Sequence, residues 1–376
     1  MLILGSCSST DGERRAESAA TTTSTPPTTS PAAFSGPCEG LGPAPAAGLA
    51  EVTYLSGGRL LALPNDRPGP VCLAEVPAGV TTLSWGGQAD RVLLPPSQVV
   101  LADRRVDLDL PEGESASFTL PTGTSVLFSD GPHLKKRSLA DRRDTDVTFL
   151  DRHEASVYYP EGKHILSVGA SSDGVYGVFV ATNLGDSPVA VARDDTPATT
   201  IYSPALMTGG FTAFAAQHTQ NPSADRYHIH FRGEDDPLLH TIALPDGPPE
   251  VIVASHFEPR MAARAGSCES GGRRVTAVDV GDYLTRRDAN ASAAARPVTV
   301  DVKAPFTEPV GWLPGGRLVV LGRDTCTAPG TLWSVPVFPA GPPVRLADGA
   351  IAAALRTVVA DQVDPPRETG GSDAPA

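Results

Sequence analysis

One stretch decides the fold of this chain: EPVGWLPGGRLVVLGRDTCTAPGTLWSVPVFPAGPPVRL, residues 308–346. A short strand at 310–312 leads into a glycine-containing turn at 314–316, and the run RLVVL at 317–321 predicts a buried central strand. Glycine pairs supply the positive φ angles of a tight hairpin. A run that is apolar on both faces fits a strand with neighbours on both sides. Further strands at 332–335 and 343–346 complete a four-stranded unit.

The same phrase recurs along the chain, which predicts a repeat fold. Clear copies lie at 52–64 (VTYLSGGRLLALP), 118–128 (FTLPTGTSVLF) and 157–169 (VYYPEGKHILSVG), with weaker ones at 83–94 and 202–216. Seven units start near positions 49, 80, 115, 151, 197, 246 and 304. Their spacing, about 30 to 58 residues, is comparable with the ~40–45 residues of a propeller blade.

We therefore predict an all-β chain with a single β-propeller of seven four-stranded blades over residues 38–349. One four-stranded unit cannot bury both of its faces, and a closed ring of stacked units removes the exposed end faces. The sixth unit is irregular and carries an Ala-rich insertion, so six blades with an embellishment are an alternative. A β-sandwich is another, less favoured because the repeat keeps one internal order.

The repeat resembles those of TolB-like and related WD-repeat-like β-propellers. The resemblance rests on W-x-P-G-G-R-L followed by an apolar strand and then L-W-S-V. The family turn usually reads Ser-Pro-Asp-Gly, whereas this chain has LPGG at 313–316 and YPEG at 159–162. The resemblance implies a fold and not a reaction. After the last unit, residues 350–359 are expected to form a short helix or a ring-closing strand, and 350–376 end in a disordered tail.

The amino-terminal residues Leu4-Gly5-Ser6-Cys7 resemble the lipobox of bacterial lipoproteins. The resemblance implies cleavage before Cys7 and a lipid on its thiol, with the protein at the extracellular face of the cell membrane. Residues 7–37 are rich in Ser, Thr and Pro and predict a disordered tether. Residues 1–6 are too short for a signal peptide, so we interpret them as its remnant and expect translation to start upstream. The Ala/Arg/Gly/Pro-rich composition suggests an actinobacterial host.

Four further cysteines lie in the globular region: Cys38, Cys72, Cys268 and Cys326. No CxxC pair is present, which argues against a zinc site. Bridges Cys38–Cys72 and Cys268–Cys326 are the most economical of the three connectivities and would require an oxidising compartment. Scattered buried thiols are the alternative.

The composition bounds the partners. The net charge is −13, and an acidic surface repels phosphate backbones, so nucleic acid is not expected as a partner. The 37 Gly and 37 Pro indicate many turns between short elements. No cofactor motif is present: the chain has no P-loop, HExxH, GxGxxG or GxSxG. We therefore assign no catalytic residue and no cofactor.

The weak metal candidates are His228, His230 and Asp225, because the two histidines alternate on a predicted strand. Ordinary strand histidines are the preferred interpretation. The acidic runs 144–146 and 234–236 could bind calcium but are more typical of solvated loops. Trp312 and Trp333 fall within the repeat phrase and are expected in the core; a pocket lined by them or by Trp85 is the alternative.

Two functional hypotheses follow. The first is a membrane-anchored envelope lipoprotein whose non-catalytic propeller binds an envelope protein or a cell-wall ligand as a TolB-like scaffold. The second is a secreted propeller hydrolase, lactonase-like or glycan-active. The second requires metal ligands or paired carboxylates from different blades at one mouth of the central tunnel.

Overall fold

The computed structural model describes residues 36–358 and leaves out short stretches within them. The omitted positions are 67, 87, 96–97, 111–115, 119–124, 132, 149, 151, 159–163, 171–175, 183–188, 195–198, 208–210, 219–226, 233–239, 245–248, 267, 269–271 and 282–295. The 28 strands form seven separate four-stranded antiparallel sheets. The all-β prediction is confirmed, and seven separate sheets are not the two packed sheets of a β-sandwich.

The strands of sheets 1 to 3 follow in chain order. They are β1 (Ala50–Ser56), β2 (Arg59–Leu63), β3 (Val71–Glu75), β4 (Ser84–Trp85), β5 (Val92–Leu94), β6 (Gln98–Val100), β7 (Arg105–Asp107), β8 (Ala116–Phe118), β9 (Ser125–Asp130), β10 (His133–Ser138) and β11 (Asp144–Asp146). Sheet 2 contains β4 to β7 and sheet 3 contains β8 to β11, each in sequence order. Sheet 1 contains β1, β2 and β3 together with the last strand of the chain.

Sheets 4 to 7 each contain four consecutive strands. They are β12 (Arg152–Tyr158), β13 (His164–Ala170), β14 (Tyr176–Thr182) and β15 (Val189–Asp194) in sheet 4; β16 (Thr199–Met207), β17 (Phe211–His218), β18 (Tyr227–Arg232) and β19 (His240–Leu244) in sheet 5; β20 (Pro249–Ala254), β21 (Arg260–Ala265), β22 (Arg274–Asp279) and β23 (Val298–Val300) in sheet 6; and β24 (Phe306–Leu313), β25 (Arg317–Arg323), β26 (Gly330–Pro336) and β27 (Val344–Ala350) in sheet 7. The seven repeats begin within four residues of the predicted starts.

Sheet 1 joins the two ends of the described chain. Strand β28 (Ala352–Thr357) pairs antiparallel with β1, so the spatial order is β28-β1-β2-β3. Residues 350–359, expected to be a helix or a closing strand, therefore supply a strand to the first sheet. In the structure, three strands of sheet 1 come from near the start of the described chain and the fourth comes from near its end. The first repeat of the sequence therefore supplies three of the four strands. At the opposite edge, Cys38 bridges to Cys72 in β3.

The hydrophobic cores lie between successive sheets, as strand β25 illustrates. Leu318 and Val320 pack in a cluster shared with sheet 6, whereas Val319 and Leu321 pack in a cluster shared with sheet 1. All four are at most 1% exposed. Because side chains alternate along a strand, the run LVVL places apolar groups on both faces. Each fully buried Leu or Val contributes roughly 1.5–3 kcal/mol relative to exposure, so no single sheet is stable without its neighbours.

One edge strand of each sheet contacts the corresponding edge strand of the next sheet; in sheet 1 this edge strand is β28. The contacts run from β28 to β4, β8, β12, β16, β20 and β24, and β24 in turn contacts β28. The predicted glycine turns connect the first hairpins: Gly57 and Gly58 have φ of 57° and 74°, and Gly315 and Gly316 have φ of 77° and 71°. Within the part of the chain that the structure describes, no helix has the length and apolar character to cross a membrane.

Candidate functional site

An apolar groove runs between sheets 1 and 7, with a volume of about 350 Å³. It lies at the end of sheet 7 where β24 and β26 finish and β27 begins. Ten of its thirteen lining residues are apolar. The lining residues are Leu49, Ala50, Val52, Leu63, Pro64 and Asn65 from sheet 1 and its flanks, and Leu313, Pro314, Arg317, Ser334, Pro336, Val344 and Leu346 from sheet 7.

Two groove residues are exposed although they are large and apolar. Leu49 is 47% exposed and Val344 is 56% exposed. Among the residues whose side-chain exposure the structure describes, which leaves out strands β12 to β18 and most of β19, these are the two large hydrophobic side chains that are exposed. They lie on opposite walls of one groove. Scattered single apolar residues on a surface are ordinary, whereas apolar residues grouped in a concavity indicate a binding surface.

The floor of the groove is rigid and uncharged. Ala50, Val52 and Leu313 belong both to the groove and to the core cluster between sheets 1 and 7. In the same cluster, burial and the nearby charge of Asp348 raise the pKa of Tyr54 to about 12. The phenol is therefore neutral at any physiological pH. A bound group at this position would rest on a packed and neutral surface.

The polar lining residues of the groove are Asn65, Arg317 and Ser334, and two of them make side-chain hydrogen bonds to the backbone nearby. The Asn65 side-chain amide donates to the Ala50 carbonyl oxygen at 3.1 Å, which fixes the entry to β1. Arg317 is exposed and its Nε donates to the Pro314 carbonyl oxygen at 3.4 Å. Beside them, β27 is the outermost strand of sheet 7, and it places Val344 and Leu346 two residues apart along the groove. An outermost strand next to an apolar groove suits an added peptide strand.

The cysteine prediction is confirmed. Cys38 is bonded to Cys72, with Cα atoms 4.4 Å apart, and Cys268 is bonded to Cys326, with Cα atoms 5.6 Å apart. The second bridge joins sheets 6 and 7 through their β21–β22 and β25–β26 connections. Cys7 lies outside the described residues.

The weak metal candidates lie only partly within the described residues. His228 and His230 lie on β18, opposite Ala243 and Thr241 of β19, and Asp225 falls outside the described residues. In the ranges that are described, no group of three or more His, Cys, Asp or Glu side chains could hold a metal ion. The metal proposal for these three residues remains a prediction.

Of the two acidic runs considered as calcium sites, the structure describes only one. Residues 234–236 lie outside the description, and 144–146 form β11, where both carboxylates have partners. Asp144 accepts from the Arg137 guanidinium at 2.7 Å, which lowers the pKa of Asp144. Asp146 accepts from Thr148, whose side chain and backbone lower the pKa of Asp146. Hydrogen-bonded strand residues replace the expected loop.

The tryptophans serve packing. Trp312 is 2% exposed and lies in the core cluster between sheets 6 and 7, with Trp333 packed against the same cluster. Trp85 is stacked under the Arg356 guanidinium, 4.8 Å from its ring centroid, and its Nε1 donates to the Thr53 hydroxyl. The groove contains none of the three. Sequence reasoning missed Leu49 and Val344 as one surface, because Leu49 follows Gly48 and Val344 follows Pro343 with no shared motif, and only folding brings the two together.

Comparison with known proteins finds structural neighbours alone. No protein-family model and no curated protein sequence matches the chain. A putative TolB from Agrobacterium tumefaciens shares 13% identity over 73% of this chain and 96% of that one, with a TM-score of 0.45. TolB from Acinetobacter baumannii shares 11% identity over 84% of this chain and 68% of its own chain, with a TM-score of 0.43. A putative 6-phosphogluconolactonase from Bacteroides fragilis shares 10% identity over 83% of this chain and 99% of its own chain, with a TM-score of 0.48. No functional argument rests on likeness at this level.

Proposed function

We propose that this chain is a lipid-anchored protein of the extracellular face of an actinobacterial cell membrane. In this proposal the seven sheets are the blades of one closed β-propeller, which binds an extended segment of an envelope protein in the groove between sheets 1 and 7. The observation that carries the binding role is the location of Leu49 and Val344, two exposed large apolar side chains, on opposite walls of that groove.

The succession of sheet contacts supports the ring. The edge strands β28, β4, β8, β12, β16, β20 and β24 contact one another in this order, and β24 contacts β28 of sheet 1. Pairing of β28 with β1 then joins the two ends of the chain within one blade. A closed ring leaves no sheet with an uncovered face, which is the general advantage of this architecture. The TolB-like scaffold suggested by the sequence is part of this proposal.

Two features support the proposed location. The Leu4-Gly5-Ser6-Cys7 sequence resembles a lipobox, and the tether after it is rich in Ser, Thr and Pro. The two disulfides of the described region suit an oxidising compartment outside the cytoplasm.

The anchor is testable by fractionation. We expect the protein expressed from its native locus to be in the membrane fraction, and globomycin to block its processing. Cys7→Ser removes the thiol that carries the lipid and is expected to move the protein out of that fraction. Ser8→Ala changes the next residue and serves as the matched control. Equal fractionation of Cys7→Ser and the parent chain would contradict the anchor.

The groove is testable with peptides. Short peptides displayed on phage are selected on the oxidised full chain, and we expect the enriched sequences to carry apolar residues at alternate positions. Val344→Glu places a charge on the groove wall and is expected to weaken their binding at least about tenfold, equivalent to ~1.4 kcal/mol. The measurement is fluorescence anisotropy of a labelled peptide.

Thr325→Glu is the matched control for the groove. It introduces the same charge on an exposed residue of sheet 7 at the end remote from the groove. We expect binding by this variant to stay within about twofold of the parent. Peptides that bind Val344→Glu as well as they bind the parent chain would refute the groove as the binding surface.

No observation on the described residues favours the hydrolase hypothesis. Glutamates of sheets 6 and 7 do come together, but they do so through an arginine: Glu250 accepts from Arg264 at 2.9 Å and Glu308 accepts from the same guanidinium at 3.2 Å. A general acid–base pair needs carboxyl groups directed at a substrate. These two are directed at a shared cation.

A further inference from the structure

A cluster of three arginines lies at the opposite end of sheet 7 from the groove. Arg264 of β21, Arg273 just before β22 and Arg323 at the end of β25 surround Glu308 of β24. Glu308 Oε1 accepts from Arg273 at 2.7 Å and from Arg264 at 3.2 Å, and its Oε2 lies 3.6 Å from Arg323 Nη2. Arg264 also donates to Glu250 at 2.9 Å. We call these five residues the arginine cluster.

The charges of the arginine cluster do not balance. Among the residues that the structure describes, three guanidinium groups face two carboxylates, an excess of one positive charge in a protein whose net charge is −13. Arg260, on the same strand as Arg264, shows the opposite arrangement. The side chains of Arg260 and Arg264 are both 15% exposed, but Arg260 pairs with two carboxylates of its own, Glu258 and Asp279.

The hydrogen bonds of the arginine cluster are also incomplete. The Nε atoms of Arg264, Arg273 and Arg323 are buried and have no hydrogen-bond partner. Arg323 is 8% exposed, and its two terminal nitrogens donate to the carbonyl oxygens of Ala328 and Ile351. Buried donors without acceptors are costly. An oxygen-rich anion beside the partly exposed side chains of Arg264 and Arg273 would therefore meet an uncompensated positive charge.

The cluster is both accessible and fixed in position. The side chains of Arg264 and Arg273 are 15% and 17% exposed, and those of Glu308 and Glu250 are 25% and 35% exposed. The Cys268–Cys326 disulfide links the connection before Arg273 to the connection after Arg323. A covalent link between these two connections limits the separation of sheets 6 and 7 at this end.

We propose that the arginine cluster binds a small oxyanion, either a carboxylate or a phosphate group. The guanidinium fork matches the geometry of both groups and forms charge-assisted hydrogen bonds with them. The bound anion neutralises the excess charge of the cluster and accepts from its arginines. This inference is independent of the groove, which lies at the other end of the sheet.

The test is calorimetric titration of the oxidised full chain at neutral pH. Inorganic phosphate and acetate are titrated separately at constant ionic strength maintained with chloride. We expect saturable binding with one site per chain, and the tighter of the two probes identifies the source of the oxyanion. Absence of saturable binding with both probes would overturn the proposal.

Variants assign the binding to the cluster. Arg273→Gln removes one guanidinium and is expected to weaken binding about tenfold or more. Glu250→Gln removes a competing carboxylate and is expected to strengthen binding several-fold. Arg260→Gln is the matched control and is expected to leave binding within about twofold.

Two outcomes would overturn the assignment. One is an equal loss in Arg273→Gln and Arg260→Gln, which would indicate a general effect of charge. The other is weaker binding in Glu250→Gln. Because stronger oxyanion binding is expected for Glu250→Gln, that variant tests the proposal even if Arg273→Gln fails to fold.

Discussion

Replacing Arg356 with methionine is expected to lower the free energy of unfolding by about 3–5 kcal/mol. Arg356 lies in β28 and is 2% exposed. Its Nε donates to the Ala89 carbonyl oxygen at 2.8 Å, its Nη2 to that of Gly42 at 3.0 Å, and its Nη1 to the Glu51 carboxylate at 3.2 Å. The guanidinium therefore joins β28, β1, the β4–β5 connection and the segment before β1. Methionine fills similar space and supplies none of these donors.

The size of this effect comes from what is left behind. The Glu51 side chain is 15% exposed, so the substitution leaves a mostly buried carboxylate without its cation. Two carbonyl oxygens lose their donors as well. Buried groups deprived of a partner cost more than the intact interaction contributes. The measurement is equilibrium unfolding in urea with both disulfides intact.

Two further variants define the interpretation of Arg356→Met. Arg345→Met changes an arginine whose side chain is 61% exposed and which pairs with Asp348; we expect a change within about 0.5 kcal/mol. Adding Glu51→Met to Arg356→Met removes the stranded carboxylate and should recover a large part of the loss. A loss below about 1 kcal/mol in Arg356→Met alone would contradict the assigned role.

Replacing Glu308 with glutamine is expected to cost about 3 kcal/mol of folding free energy. Glutamine keeps the shape of the side chain but removes the negative charge shared by Arg264 and Arg273. The excess of the arginine cluster then rises from one positive charge to two. Repulsion among guanidinium groups in a partly buried site is screened by salt. We therefore expect the deficit of this variant to shrink as chloride is raised, measured by thermal unfolding.

Glu258→Gln is the matched control for Glu308→Gln. Glu258 is 29% exposed, similar to the 25% of Glu308. Its partner Arg260 keeps a second carboxylate, Asp279, at 2.9 Å. The expected loss is therefore at most about 1 kcal/mol. Equal losses in the two variants would mean that Glu308 acts as one ordinary ion-pair partner and not as the shared acceptor of the cluster.

Local patterns predicted much of the sheet architecture. The glycine turns at 57–58 and 315–316 and the apolar run at 317–321 are short-range signals, and the structure contains the expected hairpins there. The disulfide pairs were also predicted. These features depend on neighbours in sequence or on a small number of cysteines, so they are accessible without coordinates.

The features that depend on distant residues were predicted only in part. For residues 350–359 a short helix and a ring-closing strand were left as alternatives, because the segment AAALRT is rich in alanine and carries no strand alternation. Its pairing with β1 makes it a strand. Leu49 and Val344 become one surface only because sheets 1 and 7 are neighbours. The arginine cluster draws its members from positions 250, 264, 273, 308 and 323, with no motif spacing.

The Cys38–Cys72 bond has a mechanical consequence. It encloses a covalent loop spanning 34 positions of sequence that contains β1 and β2. Tension applied from the amino-terminal side reaches β3 through the sulfur atoms, so the loop itself is not stretched. The hydrogen bonds between β1 and β28, which join the two ends of the described chain, are thereby shielded from that load. A load that enters through the amino-terminal segment therefore passes through the Cys38–Cys72 bond and not through the pairing of β1 with β28.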